Sequence, residues 1–272
     1  MDDLTHKAAL IRRSAIAAVV AAGSGHVAGP LDMADIFAAL FFKVLTHDPK
    51  RPDWEGRDRL VLSNGHICPA LYAAMCHAGY ARPDELEKTL RRFGTKFQGH
   101  PHRTFFPALE TSSGPLGSGL SQAVGMALAL RIDGKSNQVY ALLSDAEHQS
   151  GNVWEAAQLA GKERLANLTA VVDRNNIQID GNTEDIMPLE PLRDKYESFG
   201  WQVLDINGHD FAEIISAFET ARAMIEKQVV ILAHTIAGKG VSFMEGKYEW
   251  HSRPFTKEEA EQALRELAMS GE

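Results

Sequence analysis

One carboxylate and one carboxamide follow two consecutive segments that have the pattern of buried strands. Asp145 comes after the apolar run QVYALL, and Asn175 comes after LTAVVD. The run between them, VWEAAQLAGKERL, has helical spacing. Because a crossover between neighbouring parallel strands brings their carboxyl ends to one edge of the sheet, both side chains are predicted to reach the same ion there. One carboxylate with neutral oxygen donors suits Mg²⁺ bound together with phosphate oxygens of a ligand.

Histidine follows glycine four times, at His26, His66, His100 and His209. A preceding glycine permits a sharp turn, so that the imidazole can point from a loop into a cleft and donate to phosphates or hydroxyls. Zinc is disfavoured, because these histidines are widely spaced and have no cysteine companion. An ordinary solvated or buried ring is the alternative for any one of them, and we assign it to His209.

Two glycine-rich segments are candidates for phosphate binding. The turn from Ser113 to Gly119 enters a helical run, where backbone N–H groups and the helix dipole favour phosphate. Ala237 to Gly240 follows the strand-like run VVILAHT, which gives Lys239 the position of a point charge near a diphosphate. A solvated surface lysine is the alternative for Lys239.

The elements that would position these residues alternate between helix and strand. The spacing predicts helices at 4–22, 31–45, 67–79, 84–92, 118–132, 151–164, 189–199 and 210–226. It predicts strands at 59–62, 138–143, 168–172, 201–206 and 229–234. Such alternation is typical of an α/β fold with three layers, a mostly parallel sheet covered by helices on both faces. The segment from Phe93 to Gly117 has little periodicity and is predicted to be an active-site loop.

Composition restricts the classes of partner. The 272 residues carry a net charge of −8, which argues against nucleic acid, so phosphate binding must be local. The apolar run at 15–22 is too short to span a bilayer, so we expect no membrane segment. It is preceded by the acidic residues MDD rather than by a basic region, so we expect no targeting signal and a cytoplasmic location. Cys68 and Cys76 are expected to be reduced packing cysteines.

The motif around Asp145 and Asn175 resembles the thiamine-diphosphate motif of the transketolase family, in which an aspartate is followed by an asparagine within a D-x-N-x-I-x-I-D-G run. That run is Asp173 to Gly181 in this chain. Further blocks match the family in the same order, namely SGHVAGPLDMADI at 24–36, DRLVLSNGHICPALYA at 58–73, QGHPHR at 98–103, SGPLGSGLSQAVGMALA at 113–129, AGKGVSF at 237–243 and EWH at 249–251. Several separate blocks are far more specific than one glycine motif.

The resemblance implies roles for individual residues. Metal ligands would be Asp145, Asn175 and the backbone carbonyl of Ile177, holding Mg²⁺ with Ca²⁺ or Mn²⁺ as substitutes. His26, His66 and His100 would handle protons and hydroxyls of the substrate. Residues implied to contact thiamine diphosphate are His66, Gly114, Leu116, Asp145, Ala146, Glu147, Asn175, Lys239 and His251. Glu155 matches a glutamate at the interface between paired active sites, with an ordinary helix-surface carboxylate as the alternative.

Length indicates a split enzyme, because single-chain transketolases carry three domains and 272 residues suffice for the first. We expect residues 1–272 to form the diphosphate-binding domain, with a polar tail from about 238. The resemblance implies a separate partner chain with the pyrimidine-binding and C-terminal domains, an α2β2 assembly, and no activity without that partner. The implied reaction is reversible two-carbon ketol transfer between sugar phosphates, which in this family belongs to the pentose phosphate pathway.

The chain departs from the family at the metal motif, where G-D-G-x-x-x-E-G reads S-D-A-E-H-Q-S-G. Ser144 and Ala146 replace glycines, and the methyl group of Ala146 crowds a position of close approach unless its φ is negative. Ser150 replaces a glutamate of the acidic network between paired sites.

Other functions remain open from sequence. Deoxyxylulose-phosphate synthesis and the E1 step of a 2-oxo-acid dehydrogenase share the metal motif, although the three histidines suit a hydroxylated sugar better than pyruvate. A non-catalytic scaffold that lost its cofactor through the changes at Ala146 and Ser150 is the third alternative, against which the retained Asp145 and Asn175 argue.

Overall fold

The computed structural model describes residues 2–269, and its centre is a five-stranded parallel sheet with strand order β1-β2-β3-β7-β6. The strands of this sheet are β1 (Arg59–Leu62), β2 (Val139–Ser144), β3 (Leu168–Arg174), β6 (Gln202–Asn207) and β7 (Val229–His234). Two short antiparallel strands, β4 (Ile177–Gln178) and β5 (Gly181–Asn182), form a hairpin directly after β3.

Helices precede, separate and follow the strands. In chain order they are α1 (Asp2–Ala22), α2 (Ala28–Asp32), α3 (Ala34–Ala39), α4 (Cys68–His77), α5 (Pro83–Thr89), α6 (Ser118–Ile132), α7 (Gly151–Glu163), α8 (Thr183–Ile186), α9 (Leu192–Ser198), α10 (Phe211–Ala223) and α11 (Lys257–Met269). A π-helical turn, Leu40–Val44, continues α3. None of the helices within residues 2–269 combines the length and apolar composition that crossing a membrane requires.

The central strands are buried on both faces, which explains why their sequences are nearly continuous apolar runs. Every residue of β2 and β3 is buried. Alternate side chains point to opposite faces, so Leu142 and Val171 join the core beneath α1, α3, α4 and α10, whereas Leu143 and Val172 join the core beneath α6, α7 and α9. Two apolar layers on one sheet give the three-layer α/β fold that the sequence predicts, and that prediction is confirmed.

The element boundaries differ from the prediction in a few places. The helix predicted at 31–45 is divided into α2, α3 and the π-helical turn. Three elements were not predicted from periodicity: the hairpin β4–β5, the single-turn helix α8, and helix α11. The hairpin and α8 are too short to show a period. Between α5 and α6 the chain is irregular, as predicted for Phe93 to Gly117.

The region after about residue 238, which was expected to be a polar tail, contains α11. The amphipathic helix packs on α1 and buries Ala260, Ala263 and Leu267. Its exposed face is rich in glutamate, which explains why composition alone indicated a solvated tail.

Gly161 permits a close contact between α7 and the turn after α9. A Cβ atom at this position would lie 1.9 Å from the carbonyl oxygen of Phe199, whereas a Cβ atom at Gly125 in α6 would meet nothing within 4 Å. We expect Gly161→Ala to lower the free energy of unfolding by about 1–3 kcal/mol through overpacking. The matched variant Gly125→Ala should raise it by about 0.5–1 kcal/mol, since alanine favours helix. Urea denaturation of both variants tests this, and equal effects would contradict it.

Candidate active site

The carboxyl ends of β2 and β3 lie side by side and bring the predicted metal residues together. Ser144 of β2 pairs with Asp173 of β3, and the N–H of Asp145 donates to the carbonyl of Asp173 at 3.0 Å. Asp145 and Asn175 therefore follow adjacent strand ends at one edge of the sheet, which is the geometry that the crossover predicts.

The Asp145 carboxylate is fully buried and accepts three hydrogen bonds. Its Oδ1 accepts the N–H of Ala146 at 2.7 Å, and its Oδ2 accepts the N–H of Asn176 at 2.8 Å. Arg174 donates to the same Oδ2 at 2.9 Å. Burial raises the pKa of Asp145 to about 6, against the opposing effect of the Arg174 guanidinium. At neutral pH these donors hold the group in its charged form, as an ion ligand requires.

Asn175 joins this edge to a second pair of carboxyl groups. Its Nδ2 donates to Oδ2 of Asp32 and to Oδ2 of Asp173, both at 3.0 Å. Asp173 also accepts the Thr235 hydroxyl, while Oδ1 of Asp32 has no partner among the described residues. Burial and the Asp145 charge raise the pKa of Asp173 to about 8, and burial with the Asp173 charge raises the pKa of Asp32 well above its usual range. The pair therefore keeps a proton at neutral pH.

The hairpin β4–β5 presents the third predicted ligand. Oδ1 of Asn175 accepts the N–H of Ile177 at 2.9 Å, and Asn176 between them has a positive φ of 63°. This local turn fixes the amide oxygen of Asn175 and places Ile177 and Ile179 in the wall of the cavity described next.

A cavity of about 390 Å³ opens at this edge of the sheet. Predicted site residues that line it are His26, His66, His100, Gly114, Leu116, Ala146, Asn175, Ile177 and His251. Other lining residues include Gly29, Gln149, Ser150 and Ile179. The structure thus gathers most of the predicted residues in one cavity, although they come from segments throughout the chain.

Three histidine rings form a cluster on the cavity wall. The ring centroids of His26 and His66 lie 4.8 Å apart, those of His26 and His251 4.9 Å apart, and those of His66 and His251 5.1 Å apart. Burial lowers the pKa of His26 to about 4 and the pKa of His66 well below its usual value, and it also lowers the pKa of His251 and of the nearby His100. At pH 7 these imidazoles are neutral, so each offers one donor and one acceptor.

The donors and acceptors at the cavity fit a magnesium-diphosphate ligand. Within residues 2–269 no group of three or more His, Cys, Asp or Glu side chains, the histidine cluster included, has an arrangement that could hold a metal ion. An ion here would therefore depend on the mixed oxygen set of Asp145, Asn175 and the Ile177 carbonyl. That set suits Mg²⁺, which fills its remaining positions with water and phosphate. Nδ1 of His26 and both amide atoms of Asn64 are buried without a partner in the described chain, which is a cost unless a ligand or another chain satisfies them.

Glu147 lies away from the cavity and supports the glycine-rich turn. Its buried carboxylate accepts the N–H groups of Gly117 at 2.7 Å and Ser144 at 2.9 Å, together with the Ser63 hydroxyl. Gly117 has a φ of 83° and precedes α6, so Glu147 fixes the entry to that helix. The predicted contact of Glu147 with the cofactor stays a prediction; within the chain, its side chain positions the turn that carries Gly114 and Leu116.

Asp145 is fully buried and does not itself line the cavity, and three further candidates also lie outside the lining. Lys239 is partly exposed and pairs with Glu245 at 3.6 Å, and Glu155 is exposed on α7. Their predicted contacts with the cofactor and with a second subunit stay predictions. His209 donates from Nδ1 to buried Asp35 at 2.7 Å, while its Nε2 accepts the N–H of Ile236 at 2.9 Å. This arrangement gives His209 a structural role, because both ring nitrogens are used within the chain.

Comparisons with known proteins agree with this geometry. Residues 4–272 match the family model described as "Transketolase, thiamine diphosphate binding domain". The chain therefore belongs to the transketolase family. It is 45% identical over 269 residues to the 6-deoxy-6-sulfo-D-fructose transketolase subunit SqwG of Clostridium sp. strain MSTE9, with 99% of this chain and 98% of that protein covered. It is 38% identical to one subunit of the apulose-4-phosphate transketolase of Phocaeicola vulgatus, covering 94% of this chain and 91% of that protein.

Longer transketolases match over part of their length. The chain superposes on a Pichia stipitis transketolase complexed with xylulose 5-phosphate with a TM-score of 0.93 at 32% identity, covering 98% of this chain and 41% of the other. It is also 37% identical to transketolase 1 of Escherichia coli, with 38% of that protein covered. Transketolases are transferases, and this chain corresponds to about two fifths of their single-chain form.

The structure accommodates the departures from the family motif. Ala146 begins a 3₁₀ turn, Ala146–Gln149, and its φ is not among the positive values. Its backbone N–H donates to Oδ1 of Asp145. Ser150 lies at the cavity wall and directly precedes α7. The methyl group that replaces a glycine hydrogen therefore does not distort the turn.

Sequence reasoning missed three residues at this site: Asp32, Arg174 and Gln149. Asp32 lies inside the SGHVAGPLDMADI block, but a single carboxyl group in a predicted helix gives no signal of its partner Asp173. Arg174 stands between Asp173 and Asn175, and a charged residue at the end of a buried strand was the available signal. Gln149 lines the cavity from a turn too short for periodicity to detect.

The carboxyl pair predicts a pH-dependent stability. The native pair of Asp32 and Asp173 retains a proton that the unfolded chain releases above about pH 4, which costs about 1.4 kcal/mol per pH unit. Stability should therefore fall as pH rises towards the Asp173 pKa of about 8. We expect Asp32→Asn to stabilise the chain more at pH 8 than at pH 5, measured by urea denaturation. Asp133→Asn, at an exposed helix end, is the control; an effect of Asp32→Asn that is equal at both pH values would refute the shared proton.

Proposed function

We propose that this chain is the diphosphate-binding subunit of a two-chain transketolase that uses thiamine diphosphate and Mg²⁺. The observation that carries the proposal is the position of Asp145 and Asn175 at adjacent strand ends, beneath a cavity whose wall holds a cluster of neutral histidines. The reaction would be reversible transfer of a two-carbon ketol unit from a ketose to an aldose.

Each side of the cavity has a separate part in this function. Asp145, Asn175 and the Ile177 carbonyl would hold Mg²⁺ and, through it, the diphosphate. Leu116, Ile177 and Ile179 give apolar wall next to that position, and Gly114, with a φ of 148°, leaves space for close approach of the ligand. When bound, thiamine diphosphate supplies the carbanion chemistry that breaks and forms the carbon–carbon bond.

The histidines would bind hydroxyls of the sugar, and His66 and His251 would also contact the cofactor. A neutral imidazole orients a hydroxyl by donating to it and accepting from it, without attracting competing anions. His26 is the best placed for this, because its Nδ1 has no partner in residues 2–269. His66, His100 and His251 would complete a hydrogen-bonding wall for the polyhydroxyl part of a ketose, which pyruvate lacks.

A second chain would complete the site. Two relatives that this chain covers almost fully are named as transketolase subunits, whereas single-chain transketolases are covered over about 40% of their length. Apolar side chains near the cavity mouth are exposed, including Ile179, Ile186 and Met187. These observations support a partner subunit with the remaining domains, and we infer an α2β2 assembly. The two subunit relatives act, by their names, on sulfofructose and apulose 4-phosphate, so the sugar substrate of this chain must be found by testing a panel.

Binding and turnover test the proposal. We expect calorimetry to detect Mg²⁺ and thiamine diphosphate binding when this chain is mixed with the protein encoded beside it as the candidate partner subunit. We also expect the mixture to convert a ketose phosphate such as xylulose 5-phosphate. Asp145→Asn should weaken cofactor binding by at least about tenfold, because it removes the single carboxylate ligand. Asp133→Asn, with an exposed side chain far from the cavity, should bind as the wild type does.

Each other outcome identifies a different function. Binding without ketol transfer from any sugar in the panel would indicate another thiamine reaction, such as deoxyxylulose-phosphate synthesis or the E1 step, which pyruvate turnover would reveal. If neither the chain nor the mixture binds the cofactor, the scaffold interpretation replaces the enzyme.

A further inference from the structure

Arg174 is the buried cation at the metal edge, and its guanidinium donates to four acceptors. These are Oδ2 of Asp145 at 2.9 Å, Oγ1 of Thr183 at 2.8 Å, Oε1 of Glu184 at 2.9 Å and Oε1 of Glu190 at 2.8 Å. The side chain is only 4% exposed. One rigid fork thus joins the predicted metal carboxylate to three residues of the segment 183–190.

At its inner end, Arg174 sets the orientation of Asp145. Oδ2 is shared between the guanidinium and the N–H of Asn176, whereas Oδ1 accepts only the N–H of Ala146. A carboxylate held in this way cannot rotate without breaking a buried ion pair. Oδ1 therefore remains as the oxygen with a free lone pair for an ion.

At its outer end, Arg174 holds together a segment that has little structure of its own. Residues 183–190 contain the single turn of α8 and then an irregular stretch. Glu184 and Glu190, which receive the guanidinium, in turn accept the N–H groups of Leu189 and Leu192, at 3.1 Å and 2.8 Å. Without the cation, two glutamates and Asp145 would face one another with no compensating charge, and the segment would lose its common anchor.

The same segment connects the cavity to an exposed surface. Gln149, which lines the cavity, donates from Nε2 to the carbonyl of Met187 at 2.9 Å. Met187 and Ile186 are 56% and 44% exposed. A change in the order of residues 183–190 therefore alters both the cavity wall and an apolar patch on the outside.

We propose that Arg174 is a positioning residue that couples the Asp145 carboxylate, and hence an ion bound there, to the order of residues 183–190. Naming the ion as Mg²⁺ rests on the proposed function, but the coupling itself does not. By linkage, ordering of the segment by a partner tightens ion binding to the same extent that ion binding orders the segment. Lysine cannot replace arginine in this role, because an ammonium lacks the planar fork that serves several acceptors at once.

Hydrogen exchange of the chain alone tests the coupling without any ion. We expect amides of residues 183–190 to exchange at least about tenfold faster in Arg174→Met, the loss that corresponds to one charge-assisted hydrogen bond. Arg174→Lys should lie between this variant and the wild type. Asp145→Asn, which alters only the opposite end of the fork, should also speed exchange of 183–190, and the double variant should exchange no faster than Arg174→Met.

The matched control is Arg193→Met on α9. Arg193 also pairs with two carboxylates, Glu197 and Asp205, but it is 43% exposed and lies outside the cavity lining. It should leave exchange of 183–190 unchanged. Protection of β2 and β3 in every variant reports whether the fold persists, so that a local effect is separated from global unfolding.

A Mn²⁺ titration followed by electron paramagnetic resonance, on the complex with thiamine diphosphate and the partner chain, gives the second readout. We expect both Arg174 variants to bind Mn²⁺ more weakly than the wild type and than Arg193→Met. The proposal is wrong if Arg174→Met or Asp145→Asn leaves exchange of 183–190 within about twofold of the wild type, or if Arg174→Met binds Mn²⁺ as tightly. Absence of Mn²⁺ binding by the wild type would instead refute the proposed function, and the exchange data would still decide the coupling.

Discussion

Burial of negative charge at the carboxyl edge of the sheet is the constraint on which the rest of the site depends. Asp145, Asp173 and Asp32 lie together at this edge and are almost inaccessible to water. A buried carboxylate is unfavourable unless it is paired, hydrogen-bonded or protonated. The chain uses all three solutions. Asp145 is paired with a guanidinium and accepts backbone N–H groups, whereas Asp32 and Asp173 accept the amide of Asn175 and share a retained proton. Asp173 also accepts the hydroxyl of Thr235. The architecture thus holds the charge that an incoming dication needs, at a position that the strand register fixes.

The sequence predicted the sheet well because the physics of its central strands is simple. Runs such as QVYALL and LTAVVD can lie only in an interior covered on both faces, and the helices between them show a clear period. The misassigned region at 31–45 is buried on almost all sides, so it carries no amphipathic period to mark its breaks. Helix α11 was missed for a different reason: its apolar face is narrow, and its many glutamates made the segment resemble a solvated tail.

Residues that belong to a sequence motif lie close together, as their spacing predicts, whereas the contacts of residues that act through a partner could not be predicted. Asp145, Asn175 and three glycine-preceded histidines could be located because strand ends and sharp turns restrict where a side chain points. The contacts between Asp32 and the Asp173 edge and between Arg174 and Glu190 could not be predicted, because each depends on the relative position of elements that no local pattern specifies. The same reasoning explains why the contact between Glu147 and Gly117 was not predicted. The direction of the Glu147 carboxylate depends on packing, which sequence spacing does not determine.

The histidine cluster joins segments that lie far apart in the sequence, since His26 contacts both His66 and His251. The N–H of Val27 also donates to the carbonyl of His251. A chain that is still being synthesised consequently has no complete cavity until His251 has left the ribosome. Proteolytic loss of the segment around His251 removes one wall of the cavity and one of the three clustered imidazoles, whereas the acidic strand ends belong to other segments of the chain.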